Sequence, residues 1–149
     1  YAKSVAVFDT YYKSHDQYLE DHRDGYQTVG DIAYVDDEGY YFICDRKKDM
    51  IITGGVNVYP AEIENVLDDH PKVIEVAVFG IPDEEWGEVV CAVIVCASSL
   101  NESDLLDFAK ERLSGPKVPK RIFVRSDLPK TGSGKVLKRY LQQWVQENS

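Results

Sequence analysis

VIEVAVFGIPDEEWGEVVCAVIVCA, residues Val73–Ala97, is the stretch on which the fold turns. Its first nine residues are rich in β-branched and apolar side chains, PDEEWGE (Pro82–Glu88) reads as a turn, and Val89–Ala97 is an unbroken apolar run. Two such runs around a short turn are expected to pair as strands. Val89–Ala97 falls well short of the ~20 residues that span a bilayer, so it reads as a buried strand and no transmembrane segment is expected.

Working outward, a helix is expected from Pro60, a residue suited to a first helical position, with Glu62 and Glu64 matching the helix dipole and Ile63, Val66 and Leu67 as its buried stripe. His70-Pro71 ends it. Beyond the central stretch, NESDLLDFAKERL (Asn101–Leu113) is amphipathic and is stopped by Gly115-Pro116; KRIFVRSD (Lys120–Asp127) reads as a last strand. Apolar residues at Val136, Leu137, Tyr140, Leu141, Trp144 and Val145 then mark one face of a closing helix that starts near Lys135. Upstream, DIAYVDDEGYYFICDR (Asp31–Arg46) reads as a hairpin, two β-rich runs around Asp-Asp-Glu-Gly, and a short strand is expected near Ser4–Phe8. From about Lys48 the order is strand, helix, two strands, helix, strand, helix. That is an α+β pattern whose crossovers are too short for a doubly wound sheet.

The totals describe a globular chain: 149 residues, 44% hydrophobic and 29% charged. Its net charge of −9 disfavours nucleic acid as a partner. Charge is unevenly placed, because Gly115–Arg139 holds eight cations against Asp127 alone, a local +7. Such a region suits a compact polyphosphate better than a long polyanion, with a merely solvated basic face as the alternative. No secretory-type opening is seen and the three cysteines are odd in number, so a reducing cytoplasm is expected. Cys91 and Cys96, five apart in a strand, face opposite sides and hold no metal together; all three cysteines, Cys44 included, read as small core residues.

Two glycine loops invite a phosphate-binding reading. Gly134-Lys135 is not a P-loop, since Pro129 stands at the first glycine position and Val136 at the Ser/Thr position; the dinucleotide pattern lacks its third glycine. What remains is a flexible Gly132–Gly134 hairpin carrying Lys135 at a helix start. The first turn of that helix holds Lys135, Lys138 and Arg139, cations where the dipole favours anions, a mismatch that an incoming anion would relieve. A lysine that caps a solvent-facing turn is the bland reading. Gly54-Gly55 is by itself equally a bulge or tight turn.

In order along the chain, GYQTVGD (Gly25–Asp31), DRKKDMIITGGVNVYPAEIE (Asp45–Glu64), VFGIPDEEWGE (Val78–Glu88) and LPKTGSGKVLKR (Leu128–Arg139) resemble the C-terminal motifs of the adenylate-forming superfamily, specifically its acyl-CoA synthetases. The resemblance implies an AMP-forming acid–thiol ligase of the long-chain fatty-acid CoA ligase type. A carboxylic acid and MgATP would give an acyl adenylate and pyrophosphate, and coenzyme A would then displace AMP. By the same resemblance Asp31 binds the ribose hydroxyls of ATP, Arg46 helps hold the nucleotide, and Lys135 bridges carboxylate and α-phosphate. Lys48 is the pivot of a domain rotation, and Gly54, Gly55 and Val56 face coenzyme A. Residues 1–46 would be the end of the large N-terminal domain and residues 47–149 the small mobile lid, with a mainly antiparallel sheet flanked by helices. Val29 and Pro116 depart from the family's usual Thr and Tyr. The phosphate loop and acyl pocket belong to the missing N-terminal domain, so this piece is expected to fold without a cofactor and to have no turnover alone. A peptide-synthetase adenylation domain, a luciferase-like relative and a non-catalytic phosphate-ligand or partner-binding module are the alternatives.

Overall fold

The computed structural model describes residues 1, 3, 10, 12–97 and 99–149. The strand expected at Ser4–Phe8 lies outside them. Contacts divide the chain into two compact units, Tyr1–Lys47 and Lys48–Ser149.

The first unit holds helix α1 (His15–Asp21), the paired short strands β1 (His22–Arg23) and β2 (Tyr26–Gln27), and the hairpin of β3 (Asp31–Val35) with β4 (Tyr41–Arg46). The hairpin turn is closed by the Asp36 carboxylate, which accepts from the backbone N–H of Glu38 (3.0 Å) and Tyr40 (2.9 Å). Side-chain capping of this kind is why Asp begins the turn. Tyr34 and Phe42 stack across the two strands with centroids 5.0 Å apart. The expectation of three core cysteines holds only for Cys91: Cys96 is partly buried at the core's edge, and Cys44 is half-buried because a two-stranded ribbon has no interior of its own.

In the second unit, β5 (Ile51–Thr53) and β6 (Val56–Val58) form a tight antiparallel pair, and β7 (Val73–Asp83) and β8 (Gly87–Cys96) form the long hairpin anticipated from Val73–Ala97. The strand order is β6-β5-β8-β7, with β9 (Arg121–Arg125) joining β8 in parallel from Cys91↔Arg121 to Val95↔Arg125. Helix α2 (Pro60–Asp68) precedes the hairpin; α3 (Glu102–Lys110) makes the crossover from β8 to β9; α4 (Lys138–Glu147) closes the chain. The Asn101 side chain caps α3 by accepting from Ser103 N–H at 3.2 Å.

Two cores explain why Val89–Ala97 does not alternate. Val78, Val90, Ala92 and Ile94 pack against Ile63 and Leu67 of α2 and Leu105 and Ala109 of α3. Ala77, Phe79, Cys91 and Val93 point to the other face, against Leu128 and against Leu141 and Val145 of α4. A strand covered on both faces must be apolar at every position. Cys91 and Cys96 do belong to opposite faces, as their spacing requires.

The last helix differs from the reading. It begins at Lys138, three residues after Lys135, because Lys130 and Val136 pair as an antiparallel bridge and commit Val136 to an extended backbone.

Candidate active site

Lys135 therefore stands on the arm of a small hairpin, not on a helix. Thr131 N–H donates to the Lys135 carbonyl (2.8 Å), Leu137 N–H to the Pro129 carbonyl (2.8 Å), and Gly134 N–H to the Thr131 carbonyl (2.9 Å). Gly134 adopts φ +82°, the conformation only glycine takes without strain, which turns the chain back on itself. Leu128 is buried in the core and Val136 packs against that same cluster, so the base of the hairpin is rooted while Lys135 is exposed.

Ion pairing separates the lysines on and beside the hairpin. Lys117 pairs with Glu62 (2.6 Å), Lys130 with Glu75, and Lys138 with Glu64 (2.7 Å). Among the described residues, no carboxylate lies within ion-pair distance of Lys135. The helix-dipole mismatch anticipated for Lys135 belongs instead to Lys138 and Arg139, and Glu64 already answers it at Lys138. Half of the basic region is thus neutralised internally, since Arg125 also lies 3.9 Å from Asp127. Glu62 and Glu64 were legible in the sequence as dipole partners of α2, but their pairing with lysines far along the chain was not.

Gly54 and Gly55 form the β5–β6 turn with φ +55° and +79°, and Val56 opens β6 half-exposed. Gly54 N–H donates to the Trp86 carbonyl (2.9 Å), and a Cβ on Gly54 would stand 2.7 Å from Trp86 Cε3. A methyl group cannot fit there without moving the indole. Beside this turn a mostly apolar recess of about 230 Å³ is lined by Thr53, Trp86, Gly115, Pro116 and Lys120, with Lys120 Nζ 5.8 Å from the indole centroid. In the sequence Trp86 stood only within the PDEEWGE turn and the VFGIPDEEWGE motif, with no role of its own. Lys48 lies in a 3-10 turn, Lys47–Asp49, at the first residue of the second unit, and lines a cavity of about 450 Å³ with Phe79, Glu88, Lys138, Arg139 and Gln142.

In the first unit the structure brings Asp31 and Arg46 together. They are cross-strand partners, and Arg46 Nε lies 2.7 Å from Asp31 Oδ1. Just before them, the Thr28 hydroxyl accepts from Gly30 N–H (3.1 Å), so the hydroxyl nearest the exposed Val29 serves the turn. Burial pushes the Cys91 thiol up to about 12 against an opposing pull from Arg121, and burial also raises Cys96, so neither supplies a thiolate at neutral pH.

Residues 62–135 match the AMP-binding enzyme C-terminal domain. The chain carries that domain. Its α+β architecture is that of the C-terminal lid of the adenylate-forming enzymes. A 2-succinylbenzoate–CoA ligase of Bacillus cytotoxicus is 44% identical over 97% of this chain and 30% of its own length. A Mycobacterium tuberculosis fatty acyl CoA synthetase is 39% identical with a TM-score of 0.71, covering 98% of this chain and 29% of that one. ATP-bound MatB from Rhodopseudomonas palustris is 37% identical with a TM-score of 0.87, covering 95% and 29%. The chain spans about 30% of the length of the curated relatives it matches. Among the described residues of this AMP-binding enzyme C-terminal domain and the unit before it, no helix is long and apolar enough to cross a membrane.

Proposed function

We propose that the chain is the C-terminal portion of an ATP-dependent acyl-CoA synthetase, an AMP-forming acid–thiol ligase, and that it is inactive without the N-terminal adenylation domain. In the first step a carboxylate oxygen attacks the α-phosphorus of MgATP, forming acyl-AMP and releasing pyrophosphate. In the second the thiol of coenzyme A attacks the acyl carbon, losing its proton and expelling AMP. The observation that carries this reading is Lys135, exposed on a rooted hairpin and unpaired while its lysine neighbours are neutralised. Both reactants of the first step are anions, so an ammonium group delivered between them offsets their repulsion and fixes their approach.

The same reading gives the Asp31–Arg46 pair to the nucleotide: the carboxylate to the ribose hydroxyls, the guanidinium to its polar edge. Gly54, Gly55 and Val56 border the path of the pantetheine arm, for which a side-chain-free backbone leaves room. The aromatic recess beside Gly54, with Lys120 over its ring, would suit the flat base and phosphates of coenzyme A. Residues 1–46 end the N-terminal domain and residues 47–149 form the mobile lid; the division of contacts after Lys47 supports Lys48 as the pivot.

The substrate is a carboxylic acid. Fatty acids and aryl acids are both to be assayed, because relatives named for a fatty acyl group and for 2-succinylbenzoate are similar to this chain at 39% and 44% identity. The complete chain, given Mg²⁺, ATP and coenzyme A with a panel of acids, is expected to release pyrophosphate and form a thioester with at least one. ATP binding without acid-dependent pyrophosphate release would favour a phosphate-binding module instead. Lys48→Pro, which stiffens the pivot, is expected to slow thioester formation at least tenfold more than adenylation, read as separate half-reactions. Wild-type rates in both would remove Lys48 from the hinge.

A further inference from the structure

The hairpin bearing Lys135 is tied down at both feet. Five residues before Lys135, Lys130 pairs with Glu75 of β7; three residues after it, Lys138 pairs with Glu64 of α2. Glu64 does more than pair. Its Oε1 also accepts from Val78 N–H of β7 at 2.8 Å, so one carboxylate oxygen joins α2, β7 and the first residue of α4. Glu64 and Lys138 are each about a quarter exposed, at 25% and 24%, against 35% and 39% for Glu75 and Lys130. Glu64, Glu75, Lys130, Gly134 and Val136 line a single groove of about 360 Å³.

We propose that Glu64 is a positioning residue for Lys135, with Glu75 as its lesser counterpart at the other foot. The inference rests on the role given to Lys135 above. Two glycines leave the tip of the hairpin conformational freedom, so its direction is set by whatever restrains its feet. The core holds Leu128 and Val136, and the two carboxylates connect the flanking lysines to the rigid helix and sheet. They also engage Lys130 and Lys138 in ion pairs, leaving Lys135 as the unpaired lysine of the hairpin. Loss of this restraint misplaces the ammonium group in the transition state more than it weakens substrate binding, and displacement by about 1 Å can cost up to ~10²-fold in rate.

The test uses the complete chain and separate half-reactions. Glu64→Gln keeps an oxygen for Val78 N–H and removes the charge facing Lys138. Its kcat for acyl-adenylate formation is expected to fall roughly tenfold or more, with the KM for ATP and thioester formation from supplied acyl adenylate within about twofold of wild type. Lys138→Met should give the same loss, and the double variant should be no worse than either single one, as expected for partners in one contact. Unchanged adenylation in Glu64→Gln, an equal loss in both half-reactions, or additive losses in the double variant would overturn the proposal. Lys135→Ala measured alongside separates the two levels. If it leaves adenylation intact, the assignment of Lys135 fails and this proposal with it; if it abolishes adenylation while Glu64→Gln does not slow it, only the positioning role fails.

Discussion

Lys135→Ala, introduced into the complete chain, is expected to lower acyl-adenylate formation by roughly 10²–10³-fold, the usual cost of deleting one preorganised electrostatic contact to a transition state. The fold should not change, because the side chain is exposed and bears on neither core. Conversion of supplied acyl adenylate and coenzyme A to thioester should stay near the wild-type rate, since the carboxylate–phosphate repulsion that Lys135 is proposed to offset exists only in the first step. Lys135→Arg should recover little, because a planar guanidinium is longer and differently shaped from a compact ammonium group. The measurements are acid-dependent pyrophosphate release and, separately, AMP release from supplied acyl adenylate. Equal loss in both would mean that Lys135 serves folding or general binding, and the proposed chemistry would fall.

Gly54→Val is expected to do the reverse. Its backbone sits at φ +55°, where a β-branched residue is strained, and its Cβ would lie 2.7 Å from Trp86 Cε3 and 3.0 Å from Cζ3. The backbone bond from Gly54 N–H to the Trp86 carbonyl keeps the two main chains close, so the indole must rotate away to make room. Strain and overpacking together should cost about 1–3 kcal/mol of stability. The added methyl groups would also narrow the proposed path of the pantetheine arm. Thioester formation should fall at least about tenfold, the size of one misfit at a reacting centre, while adenylation stays within about twofold of wild type. Gly55→Ala is the companion variant: a Cβ there meets nothing within 4 Å, so it carries the φ +79° strain without the collision. A folded Gly54→Val chain with unimpaired thioester formation would remove the β5–β6 turn from the coenzyme A path.

How much of this was legible before the fold varies by element. The β7–β8 pair could be read because a long apolar run, a short acidic turn and β-branched residues all agree locally, although the strands run further into PDEEWGE than expected, β7 to Asp83 and β8 from Gly87. Helices α2 and α3 were legible for the same reason, since their stripes and Pro60 are short-range signals, although α3 ends at Lys110, ahead of the Gly115-Pro116 stop. The start of α4 was not. Val136 and Leu137 fit the helical stripe, yet the bridge to Lys130 holds Val136 extended, and a six-residue span cannot announce a bridge by periodicity. The parallel pairing of β9 was equally hidden, because a strand's own residues do not specify which neighbour or direction it will take.

The candidate site divides along the same line. Lys135, Asp31, Arg46 and the two glycines could be picked out in order along the chain, because motif spacing is a property of the chain alone. Burial on both faces of β8, the left-handed glycine at Gly134 and the rooted base of the hairpin follow from tertiary packing. So does the choice of which lysines of the basic region are ion-paired: Glu62 and Glu75 each lie fifty-five residues from the lysine they pair with. Composition sets how many charges a chain carries, whereas only the folded chain brings distant opposite charges within a few ångströms and decides which cation is left for a substrate.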